Sequence, residues 1–331
     1  MMNTHFLYLL GHLRLLEEQH SLVSLNRVGI GLIGSTAYNH RYMQAINHSS
    51  HHCELKAVCE IDSAMPSASY FMCQKRKIEN LINNEEIGSV IITSVYSDEL
   101  LKFTIHTAVD AGKDILLNNI PNYSEDELST LLKLAKLNGV NISHSHPISF
   151  ETQFCDLNLE LLSEKNSEAG LLRLSAHRKI EPDDRIPFNT LRAVISDKVS
   201  LLLTLLPSFT LSTASIQYSH PFSKMEDGDV LIINLRTENG LLISFELFFN
   251  TGNISDRLSL KQRNHNFQFE NNLITEQKNH LVTDDDAVIK QLDQFVLKLR
   301  SETKQRKATH FMNTNLITEN ILEQLKLKAF I

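Results

Sequence analysis

Cysteine is scarce in this chain. The four residues, Cys53, Cys59, Cys73 and Cys155, include no pair at CxxC spacing, so no zinc-ribbon or dithiol redox motif is present. Cys59 lies in an apolar run where a buried reduced thiol is expected, which assigns the protein to a reducing, cytoplasmic compartment. Low-complexity tracts are absent, and 42% of the 331 residues are hydrophobic, so an ordinary globular protein of two domains is expected. The net charge of -7 is spread over interleaved acidic and basic residues with no dense basic cluster, which argues against a nucleic-acid partner. Long hydrophobic runs are also missing. Phe6 to Leu10 is short, lacks a basic flank and is followed by Glu17 and Glu18, so neither a membrane span nor a secretory leader is expected. Leu7, Leu10, Leu13 and Leu16 share one helical face, which predicts an extension helix within residues 1–26.

The most informative stretch runs from Arg27 to Ile46. Val28 to Ile33 is a short apolar run suited to a strand covered on both faces, and Tyr38, Met43 and Ile46 follow at helical intervals. Gly29, Gly31 and Gly34 form a literal GxGxxG. A phosphate turn must follow a strand and open a helix, and a turn at Gly29 would leave no strand before it. The register that satisfies both conditions starts at Gly34, with Ser35, Thr36, Ala37 and Tyr38 in the turn. Thr36 then replaces the glycine that lets the backbone approach a pyrophosphate, and Asn39 the one that lets helix and strand pack closely.

Strand and helix signals alternate from there to about residue 150. Leu55 to Cys59 reads as a second strand ending at Glu60, a carboxylate placed to accept from an adenosine ribose and to favour NAD over NADP; Asp62 is a nearby alternative. Further helices are predicted over 63–84, 98–111 and 124–137, and strands over 89–93, 114–118 and 140–143, with Gly112 as a left-handed cap. Beyond 150 the pattern changes to a helix at 150–164, a strand at 170–177, a long apolar helix at 188–206 and four strands over 214–219, 229–237, 240–249 and 256–262. A fifth strand is predicted near Phe267. Glu238-Asn239-Gly240 is a hairpin signal, and two amphipathic helices over 284–300 and 313–329 close the chain. The fold class is α/β: a doubly wound parallel sheet of the Rossmann type, then an α+β domain with a mostly antiparallel sheet. The expected domains are 27–149 for a dinucleotide and 150–331 for substrate and oligomerisation, after the 1–26 extension.

This order, with Gly34 at the turn, the strand ending Ala57-Val-Cys-Glu60 and the phrase Ala108 to Leu116 containing Ala111-Gly112-Lys113, resembles the glucose-fructose oxidoreductase, inositol dehydrogenase and MocA family (Gfo/Idh/MocA) over about residues 27–329. The resemblance implies NAD or NADP in the first domain, oxidation or reduction of a sugar-like hydroxyl or carbonyl, and oligomers formed through the open second sheet. It also implies a Glu-Lys-Pro catalytic motif, and here the sequence departs. Asn118-Asn119-Ile120 stand in its place, with Pro121 one position late, and an amide cannot exchange a proton near neutral pH. The aspartate and histidine implied in the second domain are replaced by Ala193 and Asp197.

Substitute chemistry points to His144 and His146, two apart just past a strand of the parallel sheet, whose carboxyl ends face the ligand crevice. Tyr123 is a further hydroxyl candidate, although loop exposure is its simpler reading. Asn118 is assigned to cofactor binding, and Asn119 and Asp197 to substrate. A metal site would need His177 or Asp197 as a third ligand, and none is assigned. Two functions follow: a divergent NAD(P)-dependent oxidoreductase acting on a small polar compound, or a catalytically inactive relative that binds a nucleotide or metabolite, alone or as a partner subunit.

Overall fold

Apolar runs separated by amphipathic stretches become two sheets. The computed structural model describes residues 27–49, 52–61, 68–93, 97–145, 170–178, 188–206, 211–219, 230–237, 241–249, 254–261, 266–273, 285–300 and 308–329. One unit comprises Met1–Asn118, Thr130–Ser143 and Ile289–Arg306, and the other Asn119–Ser129, His144–Val288 and Lys307–Ile331. The extension helix within 1–26 and the helix at 150–164 lie outside the described residues, as does His146.

The first sheet contains β1 (Val28–Gly34), β2 (Cys53–Glu60), β3 (Ser89–Ile92), β4 (Asp114–Leu117) and β5 (Ile142–His144), in the order β2-β1-β3-β4-β5. β1 pairs in parallel with both β2 and β3, and β3 with β4. Ile30, Leu32 and Ile33 of β1 are wholly buried, as a central strand covered on both faces requires. Helices α1 (Thr36–His48), α2 (Ala68–Ile82), α3 (Asp98–Asp110) and α4 (Glu125–Leu137) connect the strands. Local chemistry sets their ends. Ser97 accepts from the Leu100 amide at the start of α3, and Ser124 and Glu127 exchange hydrogen bonds with each other's amides in a capping box that opens α4. Gly112, at φ 68°, turns the chain out of α3, and the following Lys113 donates from Nζ to the carbonyls of Ile87 at 2.6 Å and Asn84 at 3.2 Å. The Ala-Gly-Lys phrase is thus a helix stop whose lysine pins the loop before β3.

Gly29 and Gly31 are strand residues, as the chosen register requires. A Cβ on Gly29 would lie 1.8 Å from the carbonyl oxygen of Glu86, and one on Gly31 2.6 Å from a Leu81 methyl. These glycines are there for close packing of the loop before β3 and of α2, and neither approaches a phosphate turn.

In the second unit, β6 (Leu171–Arg178), β7 (Leu211–Ser219), β8 (Val230–Thr237), β9 (Leu242–Phe249), β10 (Ile254–Lys261) and β11 (Asn266–Leu273) form a sheet in the order β11-β10-β6-β9-β8-β7. β8 and β9 pair antiparallel, as do β7-β8, β10-β11 and β10-β6; the hairpin signal Glu238-Asn239-Gly240 lies outside the described residues. β6 and β9 run parallel, so the sheet is mixed. Helices α5 (Phe188–Leu205), α6 (Asp285–Arg300) and α7 (Ala308–Ala329) complete the described elements. Leu172, Leu174, Ile233, Phe245, Leu247 and Leu258 point to one face of the sheet and form a single core with Ile195, Val199 and Leu202 of α5 and with Ile321 and Leu322 of α7. Among the described residues no helix is long and apolar enough to cross a membrane.

Candidate functional site

The strand order reverses at β1, since β2 lies on one side of it and β3 on the other. Such a switch point opens a crevice at the carboxyl ends of the strands. Gly34 ends β1 with φ 150°, a backbone conformation that favours glycine, and Ser35 adopts extended dihedrals at the N-cap of α1 without a side-chain cap bond. Thr36 and Ala37 are the first two helical residues. Thr36 and Tyr38 are exposed. The first intrahelical bond runs from the Asn39 amide to the Ser35 carbonyl at 2.9 Å, so the amides of residues 35–38 have no partner within the helix. A turn of this kind with the positive end of a helix dipole above it is what a phosphate anion requires.

Glu60 ends β2, is exposed, and stands directly beside Gly34 in the parallel register. Neighbouring strands lie about 4.8 Å apart, so the carboxylate is one strand spacing from the start of the turn. Cys59, immediately before it, is buried, and burial raises its thiol pKa, which keeps it protonated and inert.

Asn118 follows β4, with its amide bonded to the Ile92 carbonyl and its side-chain Oδ1 accepting from the Tyr42 hydroxyl of α1 at 3.0 Å. Tyr42 Oη also lies 3.4 Å from Gln291 Oε1 of α6. Asn118 is therefore a held side chain in the first unit, and the next residue, Asn119, is exposed. Tyr123 is only 1% exposed, so the expectation of a solvent-facing loop tyrosine gives way to a buried ring.

His144, the last residue of β5, belongs to the second unit, where its Nδ1 lies 2.7 Å from Ser200 Oγ of α5. Ser200 is fully buried, so it holds the ring firmly. A hydroxyl both donates and accepts, so either imidazole tautomer is accommodated. A carboxylate at the same place would hold the proton on Nδ1. Asp197, one helical turn before Ser200, is half-exposed and paired at 3.0 Å with the buried Lys198 ammonium. Among the described residues no three His, Cys, Asp or Glu side chains are grouped to hold a metal ion.

No family model matches the chain, and no curated protein is similar to it in sequence. Solved structures do match it. Myo-inositol dehydrogenase from Lactobacillus casei, in complex with NAD(H) and myo-inositol, is 13% identical with a TM-score of 0.66, over 89% of this chain and 93% of that one. GenD2 from gentamicin A biosynthesis, in complex with NAD, is 11% identical with a TM-score of 0.66 over the same shares. Biliverdin reductase from Synechocystis sp. PCC 6803, in complex with biliverdin and NADP+, is 13% identical with a TM-score of 0.61, over 89% of this chain and 98% of that one. The chain has the Gfo/Idh/MocA fold.

Two features of this Gfo/Idh/MocA fold were not legible beforehand. One is Asn39, only 1% exposed, which bonds the Gly34 carbonyl and the Thr93 hydroxyl. The other is Arg192 of α5, 4% exposed, whose guanidinium donates to the Ile120 carbonyl at 2.7 Å, to Asn315 Oδ1 at 2.8 Å and to Glu319 Oε1 at 2.8 Å. Asn315 in turn donates to the Tyr123 carbonyl at 3.0 Å. The 119–123 segment is thus anchored by backbone carbonyls to α5 and α7. An arginine within the long apolar helix predicted over 188–206 needs paired acceptors if buried, and that demand is the one sequence signal that could have found the hub.

Proposed function

We propose that the chain is a divergent NAD(P)-dependent oxidoreductase acting on a small, polar, sugar-like hydroxyl or carbonyl compound. The carrying observation is the uncapped helix start after Gly34, at the switch point, with Glu60 beside it in register. These residues fit the pyrophosphate and adenosine ribose of a dinucleotide, and the acid favours NAD. Gly34, Ser35, Thr36, Ala37 and Tyr38 would cradle the pyrophosphate and Glu60 the ribose, with Asn118 at the end of β4 completing the cofactor site. The nicotinamide supplies hydride transfer when bound. Asn119 and Asp197 orient the substrate. His144 exchanges the substrate proton through Nε2 while Ser200 holds Nδ1, with His146 the second candidate and Tyr123 the third. The fold's bound relatives, in complex with NAD, NAD(H) or NADP+, support the cofactor class.

A second reading, a catalytically inactive relative that binds a nucleotide or metabolite, alone or as a partner subunit, is favoured by the loss of the motif lysine at Asn119 and of the paired aspartate and histidine at Ala193 and Asp197. Calorimetric titration with NADH and NADPH separates them in part. NADH is expected to bind more tightly than NADPH, and Glu60→Ala to weaken NADH about tenfold, the scale of a hydrogen bond to a charged group. Absence of binding at millimolar nucleotide would remove the oxidoreductase reading and leave an inactive relative that binds another metabolite or serves as a partner subunit.

We also infer a homo-oligomer, formed by the outward face of the second sheet, where Leu242 is half-exposed and Phe248 stacks on His177 at 4.5 Å. Light scattering is expected to give a mass above that of one chain; a monomer would overturn this.

A further inference from the structure

The place where a dinucleotide turn carries its third glycine is taken here by a buried amide with two partners. Asn39 Nδ2 donates to the Gly34 carbonyl at 3.0 Å, and its Oδ1 accepts from Thr93 Oγ1 at 2.8 Å. Reversing the amide would set Oδ1 against the Gly34 carbonyl oxygen, so the partners themselves fix its orientation. Thr93 follows β3, and its own amide donates to the Ile33 carbonyl at 2.8 Å. The Gly34 carbonyl takes a second donor, the Ile61 amide just past β2, at 2.9 Å. Both lone pairs of that one oxygen are therefore used, by groups from α1 and from the end of β2. Through Thr93 the linkage continues to the end of β3, across the point where the strand order reverses.

The consequence follows from peptide geometry. In a trans peptide the C=O and the following N–H point in opposite directions. Pinning the Gly34 carbonyl toward Asn39 and Ile61 turns the Ser35 amide the other way and sets the direction in which α1 begins. A glycine at residue 39 would let the helix approach the strand but hold nothing. The asparagine fills that space with a brace that spans α1, β1 and β3 and exposes no polar atom of its own.

We propose that Asn39 and Thr93 are positioning residues that hold the turn at Gly34 in its binding-ready form, in place of the close helix–strand contact that the third glycine provides elsewhere. The proposal rests on the dinucleotide reading of the turn, and it makes a prediction opposite in sign to the fingerprint rule. By that rule, Asn39→Gly repairs a degenerate motif and tightens NADH. By the brace, Asn39→Gly removes one of the two donors that hold the Gly34 carbonyl and weakens NADH.

The test combines NADH calorimetry with amide hydrogen exchange on the unliganded protein. Asn39→Gly and Thr93→Val are expected to weaken NADH about tenfold, the scale of one well-formed hydrogen bond. Thr93→Ser, which keeps the hydroxyl, is expected to restore the wild-type affinity. Exchange at residues 35–39 is expected to quicken in Asn39→Gly and Thr93→Val while β4 and α4 stay unchanged, which a general loss of stability would not produce. Unchanged or tighter NADH in Asn39→Gly, or unchanged exchange at 35–39 in both variants, overturns the brace. Wild-type protein that fails to bind NADH removes the dinucleotide reading, and the exchange arm still decides whether the turn is braced. Should Asn39→Gly not fold, the Thr93 pair carries the comparison alone.

Discussion

Replacing His144 by Gln is expected to lower turnover about a hundredfold while leaving NADH affinity nearly unchanged, because general acid–base catalysis contributes on that scale. The substrate for this measurement comes from a screen of aldehydes, ketones, imines and sugar derivatives with NADH or NADPH. His144 is the described imidazole placed at the carboxyl end of a strand of the first sheet, and a buried hydroxyl fixes its Nδ1 at 2.7 Å. Ser200→Ala is expected to cost less than His144→Gln and to act mainly on turnover, since it removes the ring's anchor and leaves the acid–base group in place. The pH profile of the wild type is expected to carry a limb in the range where imidazole titrates, absent in His144→Gln. Turnover that survives His144→Gln would move the role to His146 and then to Tyr123. NADH binding with no turnover on any substrate class would establish the non-catalytic reading.

Arg192→Met is expected to destabilise the protein by about 3 kcal/mol, the lower end for breaking a buried pair by removing one partner. The substitution leaves the Ile120 carbonyl, the Asn315 side chain and the Glu319 carboxylate without the donor that now serves all three. Arg192→Lys is expected to rescue little of this, because a single ammonium cannot reproduce the planar fork that reaches three acceptors at once. Urea denaturation measures the change as a lower midpoint at unchanged slope. Glu319→Gln is expected to cost less, since that carboxylate is 27% exposed and an amide still accepts. A loss below about 1 kcal/mol in Arg192→Met would mean that water takes over the acceptors and that the 119–123 segment does not depend on this hub.

Where an element is specified by neighbours in sequence, it was legible. The strand predicted over Val28 to Ile33 is β1 with one residue more, the helix predicted over 188–206 is α5, and the stop at Gly112 has the left-handed φ that its residue type suggested. The capping box at Ser124 formed because both of its partners lie within three residues. The decoy glycines were recognised because a turn at Gly29 would have wasted an apolar run, and the structure adds the physical reason they are glycines at all. The parallel pairing of β6 with β9 was not legible, since nothing local in Leu171–Arg178 names a partner about seventy residues away.

The candidate site divides along the same line. Period, caps and the strand–turn–helix rule placed Gly34, Glu60 and His144 at strand ends, because backbone geometry makes each of these a local matter. The partners that give those residues their properties come from remote segments: Thr93 meets Asn39 across 54 positions, Ser200 meets His144 across 56, and Asn315 meets Arg192 across 123. A buried polar group must find a partner, but which one it finds is settled by how helices and strands pack. The sequence alone thus determined the described strands and helices and the turn at Gly34. Tertiary packing alone decided that a buried Asn39 amide bonds the Gly34 carbonyl, that Tyr123 is enclosed, and that Arg192 anchors the 119–123 segment.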